Sequence, residues 1–288
     1  MPLFMRVRSL SFLLVLVLAV LVGCSSGGRI THQSAQDAFQ NAKGAYEQED
    51  YEEAIEYFRA VFQYGRGNQY APDAQYFLGA SYREQGRYLL AANEFKRFLQ
   101  LYRNDDRAAA VEFERALMYA KLSPHYKLDQ SDTQSAISYF QLFVERHPNH
   151  DLVPEAREHI RTLRAKLAHK KYAAAELYET REMWRAATET YKRIFDQYPD
   201  TPWADEALLG TIRAYIEYAD RSIAKKRDDR LQEAINTYNR LAQVFPDSPL
   251  LDKAESLYTQ AQRKLERTQQ ADDGQSLATE EASDGSGN

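Results

Sequence analysis

Cysteine is all but absent: Cys24 is the single one in 288 residues. That excludes a disulfide framework and any cysteine-clustered metal site. Glycine and proline are scarce as well, at 12 and 9, which argues for long helices over a sheet built from tight hairpins. No charge of one sign accumulates. The 37 basic residues are set against 42 acidic ones, for a net charge of −5. The basic block that a nucleic-acid partner demands is missing. So are the GxxxxGK[ST], GxGxxG and HExxH motifs, and with them a phosphate-cradling loop and a zinc-protease helix. His147, His150 and His159 fall close together in "RHPNHDLVPEAREHI". The first two flank a proline turn, and the third forms an ordinary i, i+4 helical pair with Glu155. No metal is expected, and no catalytic residue; the chain reads as a non-enzyme.

What is present starts with an apolar run. Arg6 and Arg8 precede a stretch of Leu, Val, Phe and Ala from Leu10 to Val22. This is the charged n-region and short h-region of a secretory signal peptide. A membrane-spanning helix needs roughly 20 apolar residues, so the run is too short for one. Leu21-Val22-Gly23-Cys24 resembles the bacterial lipobox. In that motif the thiol takes a diacylglyceryl group as a thioether, and a small residue precedes the cut. Cys24 is then the lipid attachment site, carrying N-acyl and S-diacylglycerol chains, and no other cofactor is expected. Two or more acyl chains hold a protein stably to a membrane where one does not. Ser25 to Gly28 make a flexible tether. In lipoproteins of this kind an Asp after the Cys directs retention at the inner membrane; Ser25 stands there, so the periplasmic face of the outer membrane is expected.

The body carries an internal repeat. From Tyr51, Ala follows three and an aromatic seven residues on: Tyr51/Ala54/Phe58. The frame recurs as Tyr88/Ala91/Phe95, Thr133/Ala136/Phe140, Trp184/Ala187/Tyr191 and Leu231/Ala234/Tyr238. In the last three copies a proline follows, in "HPN", "YPD" and "FPD". Spacings of 3, 4 and 7 place Ala and the ring on one helical face, and proline ends the helix. Ahead of Tyr88, Leu78-Gly79, Tyr82 and Gly86 give the signature of tetratricopeptide helix A and its turn.

The expected fold is all-α, a tetratricopeptide-repeat superhelical solenoid of about five helix pairs plus a C-terminal helix over Leu250 to Gln269. The first two repeats are near the standard period of about 34 residues, and the later ones are longer. The third gains an insertion over Ser123 to Asp132, the fourth a long helix A from Pro154 to Tyr178, and the fifth an extension at "YADRSIAKKRDD". Residues 1–23 thus read as signal peptide and 24–33 as lipidated Cys and tether. Residues 34–152 hold repeats 1–3, residues 153–270 hold repeats 4–5 with the final helix, and 271–288 read as a disordered acidic tail with one Leu and no aromatic.

Lipobox, five repeats and these extensions together resemble the BamD family, the lipoproteins of the bacterial β-barrel assembly machinery. The resemblance rests above all on "LRAKLAHKKYAAAELYETREMWRAATETYKRIFDQYPDTPWADEAL" and "SPHYKLDQSDTQSAISYFQLFVERHPN", and it covers roughly Ala35 to Arg267. It implies a non-catalytic scaffold that binds unfolded outer-membrane proteins through a C-terminal β-signal. The N-terminal repeats would face substrate. The C-terminal repeats would dock the POTRA domains of a BamA-like barrel subunit and other lipoproteins of the machine. A repeat lipoprotein coordinating cell-wall synthesis or division is the alternative, and a tethered wall hydrolase a more distant one.

The inner groove of such repeats is lined from helix A. In the Gly79 frame this selects Gln36, Phe39, Lys43, Tyr46 and Glu47 in repeat one, and Asp73, Tyr76, Ala80, Arg83 and Glu84 in repeat two. Repeat three offers Phe113 and Lys121. Of these, Phe39, Tyr46, Tyr76, Arg83 and Phe113 are the candidate peptide-binding residues. Aromatics beside cations suit an apolar peptide ending in an aromatic and a carboxylate. Phe39, Tyr76 and Phe113 either line that groove or pack between repeats.

Overall fold

The computed structural model describes residues 31–284. The expected signal peptide, Cys24 as the expected lipid-attachment site and most of the expected tether lie outside them. Among the described residues there are eleven α-helices, one short 3-10 turn and no strand. We label them α1 (Ala35–Glu47), α2 (Tyr51–Val61), α3 (Ala71–Glu84), α4 (Tyr88–Leu101), α5 (Ala108–Leu122) and α6 (Ser131–Arg146). There follow α7 (Val153–Thr180), α8 (Trp184–Gln197), α9 (Ala204–Asp220), α10 (Ala224–Val244) and α11 (Leu251–Asp284). In chain order these are the A and B helices of five tetratricopeptide repeats and a closing helix, the all-α repeat fold expected from the sequence.

Local chemistry sets the helix ends. Ser34 and Asp50 cap α1 and α2, their side chains accepting from the backbone N–H of Asp37 and Glu53 at 3.1 Å. Each cap satisfies a donor that the first turn would otherwise leave unpaired. Pro72 and Pro154 stand in the first turn of α3 and α7, where a missing N–H costs nothing. The A-to-B turns of repeats one, two and four share one geometry. Glu49 (φ 63°), Gly86 (φ 71°) and Glu182 (φ 56°) each adopt the left-handed conformation two residues before the next helix.

Residues 1–87 and 88–288 form two compact units. This division falls inside the second repeat, whereas the change in repeat length comes later. In the N-terminal unit α2 packs against both α1 and α3. In the C-terminal unit every helix packs against the next, and the A helices α5, α7, α9 and α11 also touch in series. Its core is three successive clusters, one per repeat junction, centred on Phe113/Phe140/Phe143, on Tyr191/Ile194 and on Leu209/Ile212/Leu231. Such nearest-neighbour packing is the mark of a repeat stack.

The repeat frame is the core. Ala54, Ala91, Ala136, Ala187 and Ala234 are all wholly buried, as are Phe58, Phe95, Phe140 and Tyr191. At the α8–α9 contact the approach is closest: a Cβ placed on Gly210 would lie 2.8 Å from the Tyr191 ring. The Tyr191 hydroxyl donates to Glu179 at 3.0 Å, and Arg213 grips the same carboxylate at 2.8 and 3.0 Å. One acid on α7 thereby fastens α8 and α9. Burial, with the Glu179 carboxylate adding to it, pushes the Tyr191 phenol far above its ordinary value. The hydrogen bonds to Glu179 likewise raise Arg213, so neither group titrates near neutrality.

The proline turn after α8 is clamped in the same manner. Arg164 of α7 forks the Asp200 carboxylate at 2.5 and 3.0 Å and donates to the Gln197 carbonyl at 2.9 Å. That hydrogen bonding holds Asp200 below the usual carboxylate range.

The one departure in element length is at the C-terminus. The last helix runs to Asp284, past the expected end at Gln269. Ala, Gln, Leu and Glu in "QQADDGQSLATEEA" favour helix through backbone propensity alone, a signal distinct from the missing apolar stripe on which a disordered tail was expected.

Two outcomes are expected. Gly210→Ala should destabilise the protein by about 1–3 kcal/mol through overpacking against a buried ring, read as a lowered midpoint in thermal or denaturant unfolding. Arg164→Gln should destabilise at pH 7, with the gap to the parent closing as pH falls. A carboxylate depressed in the folded state stabilises above its unfolded pKa of about 4 and loses that contribution on protonation. Denaturant unfolding at pH 7 and pH 3 checks this; a pH-independent gap would contradict it.

Candidate functional site

In the N-terminal unit the selected side chains lie along an aromatic ladder. Phe39 of α1 stacks on Tyr70 (centroids 5.4 Å apart) and tilts against Phe58 (6.1 Å). Phe58 stacks on Phe77 of α3 at 5.8 Å, and Phe77 meets Tyr46 edge-on at 5.3 Å. Tyr46 in turn meets Tyr51 at 5.5 Å, and Tyr76 meets Phe77 at 5.3 Å. Lys43 reaches over the Phe77 ring, its Nζ 4.0 Å from the centroid. Edge-to-face and offset pairs at these separations each add roughly 0.5–1.5 kcal/mol beyond burial, so the ladder is rigid.

Three of the five candidates converge at one end of it. Burial pushes the Tyr46 phenol above its ordinary value; Arg83 opposes that shift, and Glu84, Tyr51 and Tyr76 add to it. Tyr46, Tyr76 and Arg83 therefore share one electrostatic neighbourhood. All three are half-buried, so each presents part of its surface to solvent. The two cations are paired with neighbours on their own helices, Lys43 with Glu47 at 3.5 Å and Arg83 with Glu84 at 2.8 Å. Such surface pairs are worth little and can yield to an incoming carboxylate. Phe39 sits at the far end, half-buried in the stack.

Phe113 is a correction. It is 4% exposed, packed edge-on against Phe140 (5.4 Å) and Phe143 (5.6 Å) in the C-terminal unit. A ring enclosed by α5, α6 and α7 takes no ligand without repacking the core. The frame itself holds, since Ala116 stands 37 residues after Gly79 and is wholly buried; Phe113 is covered because Phe140, Phe143 and His159 of the next two helices close over it.

Two features were missed. Phe77, the centre of the ladder, lies between Tyr76 and Leu78 and is reached by rings from α1 and α2, a long-range contact that periodicity does not report. The second is an open apolar pocket of about 600 Å³ lined by Glu182, Met183, Trp184, Arg185, Ala186, Glu189, Tyr218 and Arg221. Arg221 lies 4.9 Å over the Trp184 ring, whose Nε1 is buried without a hydrogen-bond partner. Leu177, Met183 and Ile223, at the neighbouring A-to-B turns, are 48%, 48% and 70% exposed. Trp184 had been read only as the first residue of the packing frame. Its signal was there: that position adjoins the turn, and an exposed Met precedes it.

The third-repeat insertion is seated on α7. Tyr126 stacks on His169 at 3.8 Å and His169 on Trp203 at 4.2 Å. Lys166 donates to Ser123 Oγ at 2.7 Å and Lys170 to the Leu128 carbonyl at 2.6 Å. Inside the loop the buried Gln130 amide donates to the His125 and Leu128 carbonyls at 3.0 and 3.1 Å. Backbone groups in a turn need such partners once water is displaced.

The three clustered histidines serve the same core. His159 stacks on Phe140 at 4.9 Å, His147 faces Glu112 at 3.3 Å, and His150 Nδ1 accepts from the Leu152 N–H at 3.1 Å. Among the described residues no group of three or more His, Cys, Asp or Glu could hold a metal ion. No described helix is long and apolar enough to cross a membrane.

Residues 31–231 match the YfiO family model, described as outer membrane lipoprotein. The chain belongs to the YfiO family. This is the BamD family to which the repeats and extensions pointed. Among its relatives, the outer membrane protein assembly factor BamD of Caulobacter vibrioides is 24% identical over 217 residues, covering 74% of this chain and 71% of that one. The BamD of Pasteurella multocida is 25% identical over 232 residues, covering 77% and 88%. Among solved structures, a TPR repeats protein from Bacteroides fragilis covers 81% of this chain and all of its own, at 13% identity and a TM-score of 0.46.

If the stack seats the insertion, His169→Ala with Lys170→Ala should speed amide exchange at residues 123–130 by about tenfold, equivalent to about 1.4 kcal/mol of local stability. Helix content should be unchanged. Hydrogen–deuterium exchange reads this directly, and uniform acceleration across α7 would instead mean global destabilisation.

Proposed function

We propose that this YfiO-family protein assists the assembly of β-barrel outer-membrane proteins as a non-catalytic scaffold. The observation that carries the reading is the family match over residues 31–231, joined to relatives whose names assign them to outer membrane protein assembly. In this reading Cys24 is acylated and holds the protein at the periplasmic face of the outer membrane. The Tyr46–Tyr76–Arg83 end of the aromatic ladder takes the C-terminal segment of an unfolded barrel protein. Rings there meet its terminal aromatic, and Arg83 exchanges Glu84 for its carboxylate. Half-buried tyrosines suit such a contact, since they offer large stiff area at low entropic cost.

The C-terminal repeats dock the partner subunits, a BamA-like barrel protein through its POTRA domains and the accessory lipoproteins. The Trp184 pocket supports that assignment. An apolar hollow beside exposed Leu177, Met183 and Ile223 is the composition of an interface core, with a charged rim supplied by Arg185, Glu189 and Arg221.

Two separable outcomes are expected. Tyr76→Ala with Arg83→Ala should weaken binding of a barrel C-terminal peptide by about tenfold or more without loss of helix content. Unchanged affinity in a fluorescence titration would remove the groove assignment. Met183→Glu with Trp184→Ala should leave that affinity intact and cut recovery of the barrel subunit when a tagged copy is extracted in mild detergent. Recovery of cell-wall or division proteins in place of a barrel subunit would overturn the assembly role.

A further inference from the structure

A second polar hollow lies in the C-terminal unit, away from the Trp184 pocket. It encloses about 430 Å³ among α4, α5 and the end of α6, lined by Leu99, Arg103, Ala108, Glu112, Arg115 and Arg146. Three guanidinium groups thus line a space that contains one carboxylate. That carboxylate is already engaged twice, accepting from Arg146 Nη1 at 2.9 Å and facing His147 Nε2 at 3.3 Å. Arg115 lies flat over the Tyr139 ring, 4.1 Å from its centroid. Its Nε is buried and has no hydrogen-bond partner.

An orphaned donor of this kind is rare in folded proteins and calls for an acceptor. The shortage here is of negative charge and of acceptor oxygens, not of donors. Guanidinium forks donate in pairs to adjacent oxygens of an oxyanion. A single carboxylate offers two oxygens and is satisfied by one fork. Several forks facing one hollow match a tetrahedral group with more oxygens and more charge. The Leu99 and Ala108 walls leave an apolar margin on which the carbons of an ester could rest.

We propose that this hollow binds a phosphoryl group, either as inorganic phosphate or as a small phosphate ester such as a glycerophosphate headgroup. Arg103 and Arg146 supply exposed guanidinium groups, and Arg115, lying over the Tyr139 ring, supplies the third. Neither the family description nor the repeat pattern assigns these residues a ligand.

The test uses the full chain with Cys24→Ala, which removes the acyl anchor as a second source of membrane attachment. Inorganic phosphate and glycerol 1-phosphate are titrated calorimetrically in a chloride buffer, with acetate as the carboxylate control. Saturable one-to-one binding is expected, weakened at least about tenfold by Arg103→Gln with Arg146→Gln, two changes at surface positions. Arg115→Lys, which keeps the charge and removes the fork, should weaken it as well. Flotation with phosphatidylglycerol-containing vesicles, but not with phosphatidylcholine alone, that is lost in the double variant identifies a lipid headgroup. Binding of the soluble phosphates without flotation identifies a free phosphate or ester. Absence of saturable binding, equal binding by acetate, or equal affinity in correctly folded variants would each overturn the proposal.

Discussion

The structure depends on how closely one helix can approach the ring of its neighbour. At the α8–α9 contact Gly210 leaves its place empty so that Tyr191 can lie against the backbone, and the repeating Ala positions do the same less severely elsewhere. Close packing is unforgiving of an extra methyl. It also seats the half-buried Glu179, where three donor atoms from two helices converge on one carboxylate. Ring, gap and half-buried acid belong to a single arrangement at this junction.

The sequence and the coordinates agree best where the physics is periodic. Every Ala of the five-fold frame is buried, and α7 runs from Val153 to Thr180 against an expected Pro154 to Tyr178. Legibility fails where contacts are made between elements of unrelated register. Phe113 reads as a groove residue by counting from Gly79, yet Phe140, Phe143 and His159 from the following helices close over the ring. Phe77 gains its role from Phe58 and Tyr46, and nothing in its own neighbourhood of the chain announces them. The end of α11 illustrates the converse: propensity continues a helix past the point where apolar burial would justify it. Tyr46, Tyr76 and Arg83 fall near one another because all three come from A helices in the two repeats of near-standard length.

The aromatic ladder of the N-terminal unit and the Trp184 pocket of the C-terminal unit are built differently. The N-terminal ladder is stiff, made of rings in contact, with its cations already paired to acids one helical step or one residue away. It presents a preformed face whose charges can change partners. The Trp184 pocket is an opening between helices, its rim combining the exposed Met183 with Arg221, which pairs with Glu217 and Glu182. Preorganisation lowers the entropy lost on binding, so a short extended segment suits the first, while a folded domain bringing its own rigid surface suits the second. The arginine hollow differs from both, having donors in excess and an acceptor missing.

One feature of the chain bears on how such proteins diverge. Two of the three additions to the standard repeat length, the loop over Ser123 to Gln130 and the lengthened start of α10, lie at A-to-B turns, the edge to which Trp184 also belongs. Lengthening a turn costs little, about 0.6 kcal/mol for each doubling of a flexible loop, whereas a change on the Ala–ring face disturbs two junctions at once. The turn edge is therefore the surface on which new segments can be tried without cost to the stack. Lys166, His169 and Lys170 show how a trial becomes permanent: a handful of side chains on an already rigid helix recruit the loop's carbonyls and a ring, and the added segment becomes part of the architecture inherited by later variants.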